Sequence, residues 1–358
     1  MVSHLEYEKA LPAYTRYVRK KRLFLFGLLA ACTLLFLTAL SVGPVYIPAI
    51  SLLRTFSGLS VDPKFSTIIY NIRLPHALAA TIAGAGLAAA GAAMQSILRN
   101  PLGSPFTLGV SQAGAFGAAF SVIIAGSGIM QSTQVGSITF TNSLMTVTFA
   151  FAACILCALT ITFIARSYGT TPEIMVLCGV AIGSIFSAGT MFLHYFADDV
   201  QLAAIVFWSF GDVGRAGWRE VCIMGAVIAP GVVFFIVNRW NYNAIEAGDE
   251  TAKGLGVNVQ GVRLSGMIVS SLMTAVIVSF LGIIGFIGLI CPHTVRKIVG
   301  SDNRFVIPAS CLCGAALLMA SDTAARLMLA PHVLPVAVLT SFLGGPLFLY
   351  LLLARKGR

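Results

Sequence analysis

Charge is what this sequence has least of. Only 10% of its 358 residues are charged, and acids are the scarcer sign, 13 against 23 bases. Soluble domains carry roughly 25% charged residues, so a water-soluble globular protein is excluded. No GxxxxGK[ST] phosphate loop occurs, so the chain has no P-loop nucleotide site of its own. There is no HExxH helix, and no Ser/His/Asp or paired-carboxylate grouping at usable spacing, so nothing points to a hydrolase. An ion-coupled carrier needs acids inside the membrane. Here only Asp322 fits that description, with Arg326 one helical turn on as a partner, and Glu173 falls at the end of its apolar run.

What is present is apolar: 58% of residues are hydrophobic. Runs of membrane-spanning length fall near 23–42, 75–98, 106–125, 143–165, 173–195, 220–238, 264–281, 283–298, 307–326 and 335–354. The chain is therefore an all-α polytopic membrane protein, one domain over 1–358, with about ten transmembrane helices. The seventh and eighth runs nearly fuse, parted by Leu281-Gly282-Ile283-Ile284-Gly285. The second carries Ala80, Gly84, Ala88 and Ala92 at every fourth position, a face that admits another helix at close range. Pro101 is expected to close that helix and Pro105 to open the next. Tyr46 to Arg73 holds an amphipathic piece, Ile47, Ile50, Leu53 and Phe56, suited to the interface. Ala203 to Trp218 reads as a short helix or re-entrant piece, and 126–142 as a loop.

The net charge of +10 would suggest nucleic acid in a soluble protein. Here the bases flank apolar runs, so they report topology, and no nucleic-acid partner is expected. With both ends inside, every base but Arg54, Lys64, Arg73, Arg215, Arg219 and Arg326 faces the cytoplasm. Nine spans would export the basic C-terminus. The bases 19–22 before an apolar run imitate a signal peptide, but the run is too long for one and reads as a retained first span. All eight cysteines lie in or beside apolar runs, and the CxxC of Cys154 and Cys157 reads as small core filler, with no metal site.

One charged island interrupts the second half, Asn241 to Arg263. Glu246, Asp249, Glu250, Lys253 and Arg263 hold it in water. Asn243 is placed to cap a short helix with Glu246 three residues on. Gly248 breaks that helix, and Glu250 to Lys253 form a second turn ended by Gly254 and Gly256. Such a pair is either a solvated loop or a handle for a soluble partner.

The motifs run in a recognisable order. They are Arg73-Leu74-Pro75, Gly91 with Met94-Gln95, Asn100-Pro101-Leu102, Leu108-Gly109-Val110, Gly114-Ala115, and Ala252-x-x-Leu255-Gly256-Val257. Then come Gly285-Phe286-Ile287-Gly288-Leu289, Pro292-His293-x-x-Arg296, Asp302-x-Arg304, Asp322-x-x-x-Arg326 and Gly344-Gly345-Pro346-Leu347-Phe348. This series resembles the FecCD family, permeases of binding-protein-dependent ABC importers for iron-siderophores, haem and vitamin B12. The resemblance implies the type II ABC importer permease architecture in the cell inner membrane. It also implies a second permease copy, two ATP-binding subunits and an extracytoplasmic substrate-binding protein as partners. This chain would bind no cofactor, and ATP would be used by the partner subunit.

By the same resemblance Asn243, Glu246, Asp249, Glu250, Lys253, Leu255, Gly256, His293 and Arg296 lie at the ATPase contact. Arg73, His76 and Arg326 dock the binding protein, and Gln95, Asn100 and Pro101 border the path or its inner mouth. Ferric siderophore leads among cargoes, with haem and cobalamin as alternatives. Two departures stand out. His76 replaces the second arginine of an RLPR motif, and Val333-Leu334-Pro335-Val336-Ala337 lacks the acid of Glu-x-Pro-x-Gly. His76, His194 and His332 fall at outer ends of spans, where imidazole at an interface is ordinary.

Overall fold

A computed structural model describes residues 4–43, 45–59, 62–127, 143–328 and 334–353, with side chains described within 14–346. Ten helices match the ten apolar runs: α1 (His4–Ser41), α4 (Leu74–Ile97), α5 (Val110–Ile123), α6 (Ser143–Tyr168), α7 (Pro172–Phe196), α9 (Trp218–Val237), α12 (Val259–Leu281), α13 (Ile287–Val299), α14 (Asn303–Met328) and α15 (Val336–Leu353). Seven stretches are long and apolar enough to cross a bilayer, and α5 and α15 are shorter apolar helices. Short helices fill the connections: α2 (Ala49–Phe56), α3 (Pro63–Ile68), α8 (Asp199–Ser209), α10 (Arg239–Glu246) and α11 (Asp249–Gly254). Among the described residues there is no strand.

α4 is the axis of the bundle. A π-turn, Ile69–Arg73, joins it to α3, so one helical rod runs from Pro63 to Ile97. α9, α12, α13 and α14 all pack on it. Helix association in lipid has little hydrophobic drive and relies on close packing, which explains the small-residue face. At Gly84 a Cβ would stand 2.7 Å from the Gly314 carbonyl carbon in α14, and at Gly91 it would stand 2.6 Å from that of Gly288 in α13. Real Cβ atoms do not approach so closely, so both seams exist only as glycine against backbone.

The seventh and eighth runs are separate helices. Gly282 at φ +79° ends α12, and Phe286 at φ +67° precedes α13. The expected eighth span is helical only from Ile287 onward. Thirteen residues rise about 20 Å, short of the roughly 30 Å hydrocarbon core. The non-helical stretch 282–286 supplies the rest. Such backbone survives at membrane depth only inside protein. Here Gly282, Ile284 and Gly285 are buried, Gly211 packs on Ile283, and the Asp212 N–H donates to the Leu281 carbonyl at 2.8 Å.

Three local expectations are corrected. Pro105 does not open the third span. Residues 101–109 form turns, and α5 begins at Val110 after Gly109 at φ +82°. The outer helix expected at 203–218 is α8, which starts at Asp199 because Asp198 and Gln201 form a capping box, and a short turn at Val213–Arg215 follows it. Asn243 does not cap α10, which already begins at Arg239. The amphipathic piece is α2, with Leu52 buried and Ile50, Leu53 and Phe56 exposed. Most of the 126–142 loop lies outside the described residues, as do His332 and Val333.

Candidate coupling site

α10 and α11 form a small body with its own apolar seat. Ala244, Ile245, Ala252 and Val259 are buried together, and Tyr242, fully buried, sets its ring against Phe235 of α9 at 6.3 Å. Gly248 at φ +121° makes the break between the two helices. The charged residues of the island then divide into two classes.

The first class points inward. Asp249, the first residue of α11, receives a two-pronged pair from Arg263 of α12, both contacts at 2.8 Å, and Arg99 stands 3.6 Å away. Arg263 is only 2% exposed and also donates to the Ile97 carbonyl at 3.2 Å and the Thr170 carbonyl at 3.1 Å. Glu246 of α10 pairs with Arg296 of α13 at 2.8 Å and accepts from the Asn303 amide at 3.2 Å. Arg296 also donates to the Ser96 hydroxyl at 2.7 Å. Asn243 donates to Asp302 at 3.1 Å and accepts from the Asn303 N–H at 2.8 Å, so it caps α14 from a distance instead of its own helix. Burial pushes the Asp302 carboxyl up, but hydrogen bonds from Arg304 and Asn243 outweigh it and hold the group below the usual carboxylate range.

The second class points outward. Glu250 and Lys253 pair at 2.9 Å with exposed side chains, and this hydrogen bond raises the Lys253 ammonium. Leu255 is 69% exposed, and a Cβ at Gly254 or Gly256 would meet nothing within 4 Å. A large exposed leucine thus stands between glycines on a seat fixed by partly buried ion pairs. His293 is half-buried on α13, one turn before Arg296.

At the opposite end the three expected docking residues are occupied with their own chain. Arg73 is 4% exposed and donates to the carbonyls of Leu40 at 2.7 Å, Ser41 at 2.6 Å and Val45. It thus caps the end of α1, whose last carbonyls have no partner within the helix. Arg326 pairs with Asp322 at 3.0 Å, both largely buried. His76 stands beside Gly214, within electrostatic reach of Asp322, Arg326 and Asp212. Sequence reading missed Arg215, which repeats the Arg73 device on α8, donating to the carbonyls of Phe207, Trp208 and Phe210. His194 is half-buried in the last turn of α7.

Gln95 is buried and donates to the Leu289 carbonyl at 3.1 Å, tying α4 to α13. Asn100 accepts from the Leu102 N–H at 2.9 Å in a tight turn. With Pro101, Arg99, Glu173 and Val176 it lines a 480 Å³ cavity at the end that bears α10 and α11. Cys154 and Cys157 are buried, with their thiols on the carbonyls of Val110 and Leu108.

Comparison with known proteins agrees with this architecture. The model of the FecCD transport family matches residues 31–354. A Methanocaldococcus jannaschii chain named for an ABC transporter permease is 52% identical over 340 residues, covering 95% of this chain and 97% of that one. The hemin transport system permease HmuU of Yersinia pestis is 34% identical over 328 residues, 90% of this chain and 94% of its own. A solved metal-chelate type ABC transporter in an inward-facing conformation matches 92% of this chain and 98% of that one, with a TM-score of 0.76 and 27% identity. A ten-helix membrane bundle with an exposed, ion-paired helical tip and no phosphate loop, matched by that model over nearly its whole length, belongs to the FecCD transport family and is an ABC transporter permease.

Proposed function

We propose that this chain is the membrane half of an ATP-driven importer of a metal chelate, ferric siderophore first, with haem or cobalamin as the alternatives. The observation that carries this reading is the α10–α11 tip, an exposed patch held by partly buried ion pairs. A load applied to Lys253 or Leu255 reaches the bundle instead of dissipating in a loop. Two such chains pair, a nucleotide-binding subunit docks on each tip, and an extracytoplasmic protein delivers cargo at the far end. The tip and both termini face the cytoplasm in this reading, which the distribution of bases supports. An ion-coupled carrier is the weaker reading, since Asp322 already has its counter-ion in Arg326 at 3.0 Å.

The test is reconstitution in liposomes with the co-purifying ATPase and binding protein, comparing ferric siderophores, hemin and cobalamin as cargo. ATP-dependent accumulation of one class, lost on Glu250→Lys with Lys253→Glu, is the expected result. Failure of any nucleotide-binding subunit to co-purify under mild solubilisation would overturn it.

A further inference from the structure

The two inward anchors of the island do not reach the same helices. Glu246 connects through Arg296 to α13, through Asn303 to α14, and through the Ser96 hydroxyl to α4. Asp249 connects through Arg263 to α12, to the α4 end at the Ile97 carbonyl, and to the Thr170 carbonyl. The anchors therefore converge on neighbouring residues in the last turn of α4, and they diverge beyond it. Thr170 lies in the short link between α6 and α7, immediately before Thr171, which caps α7, and Pro172, its first residue. α7 turns an uncovered apolar face outward with Leu177, Val180, Ile185 and Met191 exposed.

From this asymmetry we infer that Arg263 is the positioning residue that transmits displacement of α11 to α7, a role that rests on the coupling reading above. Its chemistry suits the task. The planar guanidinium grips both oxygens of Asp249 and, through its remaining N–H groups, two carbonyls in fixed directions, so four chain segments move as one. The guanidinium itself is buried, which strengthens its bonds to the two carbonyls, while the Asp249 end of the pair is one third exposed. A lysine, a single point charge without the planar fork, cannot reproduce the two-pronged pair while holding both carbonyls. The Glu246 anchor has no contact with the 169–171 link, so α13 and α14 keep their own connection when Arg263 is changed.

The experiment uses the complete reconstituted importer and measures cargo moved per ATP hydrolysed for wild type, Arg263→Gln, Arg263→Lys and Asp249→Asn. The expected result is a fall of about tenfold in that ratio for Arg263→Gln, within the usual span of coupling energies, and a smaller fall for Arg263→Lys. The ATPase still co-purifies in each case. Asp249→Asn keeps the shape while removing the charge, and it decides the question if Arg263→Gln does not assemble. Wild-type cargo per ATP in Asp249→Asn, or transport and hydrolysis falling in equal proportion in every variant, overturns the inference and leaves only a structural role. Absence of the ATPase from the wild-type preparation sinks the coupling reading instead, before any variant is compared.

Discussion

Gly91→Ala puts the glycine seam to a quantitative test. The new Cβ would lie 2.6 Å from the carbonyl carbon and 2.7 Å from the Cα of Gly288, and closer still to its oxygen. Ordinary carbon–carbon contact begins near 3.5 Å, so α13 must withdraw from α4 by about 1 Å. No rotamer relieves this, because both sides are main chain. Overpacking of this kind costs about 1–3 kcal/mol, and alanine recovers roughly 0.5–1 kcal/mol of helix propensity. Withdrawal also stretches the Arg296 to Ser96 contact of 2.7 Å and the Gln95 to Leu289 bond of 3.1 Å, both across the same seam. A net loss of about 2 kcal/mol should lower the melting midpoint by roughly 4 °C in detergent. Fluorescence-detected size exclusion after a heating series measures it. Gly27→Ala is the control, a helical glycine of α1 with nothing within 4 Å of its Cβ, and it should melt at or above wild type. Equal midpoints for Gly91→Ala and wild type would refute the close-packing argument.

Three further outcomes are expected. The Asp302 carboxyl is held below its ordinary value, so its contribution is full above about pH 4 and fades as pH falls through the lower folded value. Asp302→Asn should therefore flatten the acid limb of a stability-against-pH curve, and an unchanged limb counts against the network. Arg73→Gln should cost about 1–3 kcal/mol of stability, because the last carbonyls of α1 lose a charged donor. Its affinity for a binding protein, measured by surface plasmon resonance, should stay at the wild-type value, and a selective affinity loss would restore Arg73 to the docking surface. Asp322→Asn should leave uptake insensitive to a protonophore and dependent on ATP, whereas proton-dependent uptake in the wild type would revive the ion-coupled carrier.

Much of the fold was legible because a bilayer simplifies the code. Run length gives the spans, and glycine spacing on α4 marks its packed face. The division at Gly282 could be read from glycine alone, but the late start of α13 could not, since Phe286 in a left-handed conformation leaves no compositional trace. In the site, the tip of Glu250, Lys253, Leu255 and Gly256 was visible as charge beside glycine. The brace behind it was not. Arg263 reaches Ile97 and Thr170, and Arg296 reaches Ser96, across separations of 93 to 200 residues that no local pattern encodes. The same blindness hid the pairing of Glu246, Asp249 and Asn243 with Arg296, Arg263 and Asp302 of their own chain. The polar residues Ser96 and Asn303, buried at the ends of apolar runs, were the available hint.

The tip touches almost nothing of its own chain. Its exposed side chains contribute little to holding the bundle together, so mutations at Glu250, Lys253 and Leu255 are nearly invisible to folding, whereas Ala252 belongs to the buried seat and Gly256, φ +82°, needs its glycine backbone. Selection on that segment then comes from whatever lies across from it. Lineages can retune the patch to a different motor by ordinary drift, and a chimera that transplants only these residues should inherit the donor's partner while keeping the recipient's cargo.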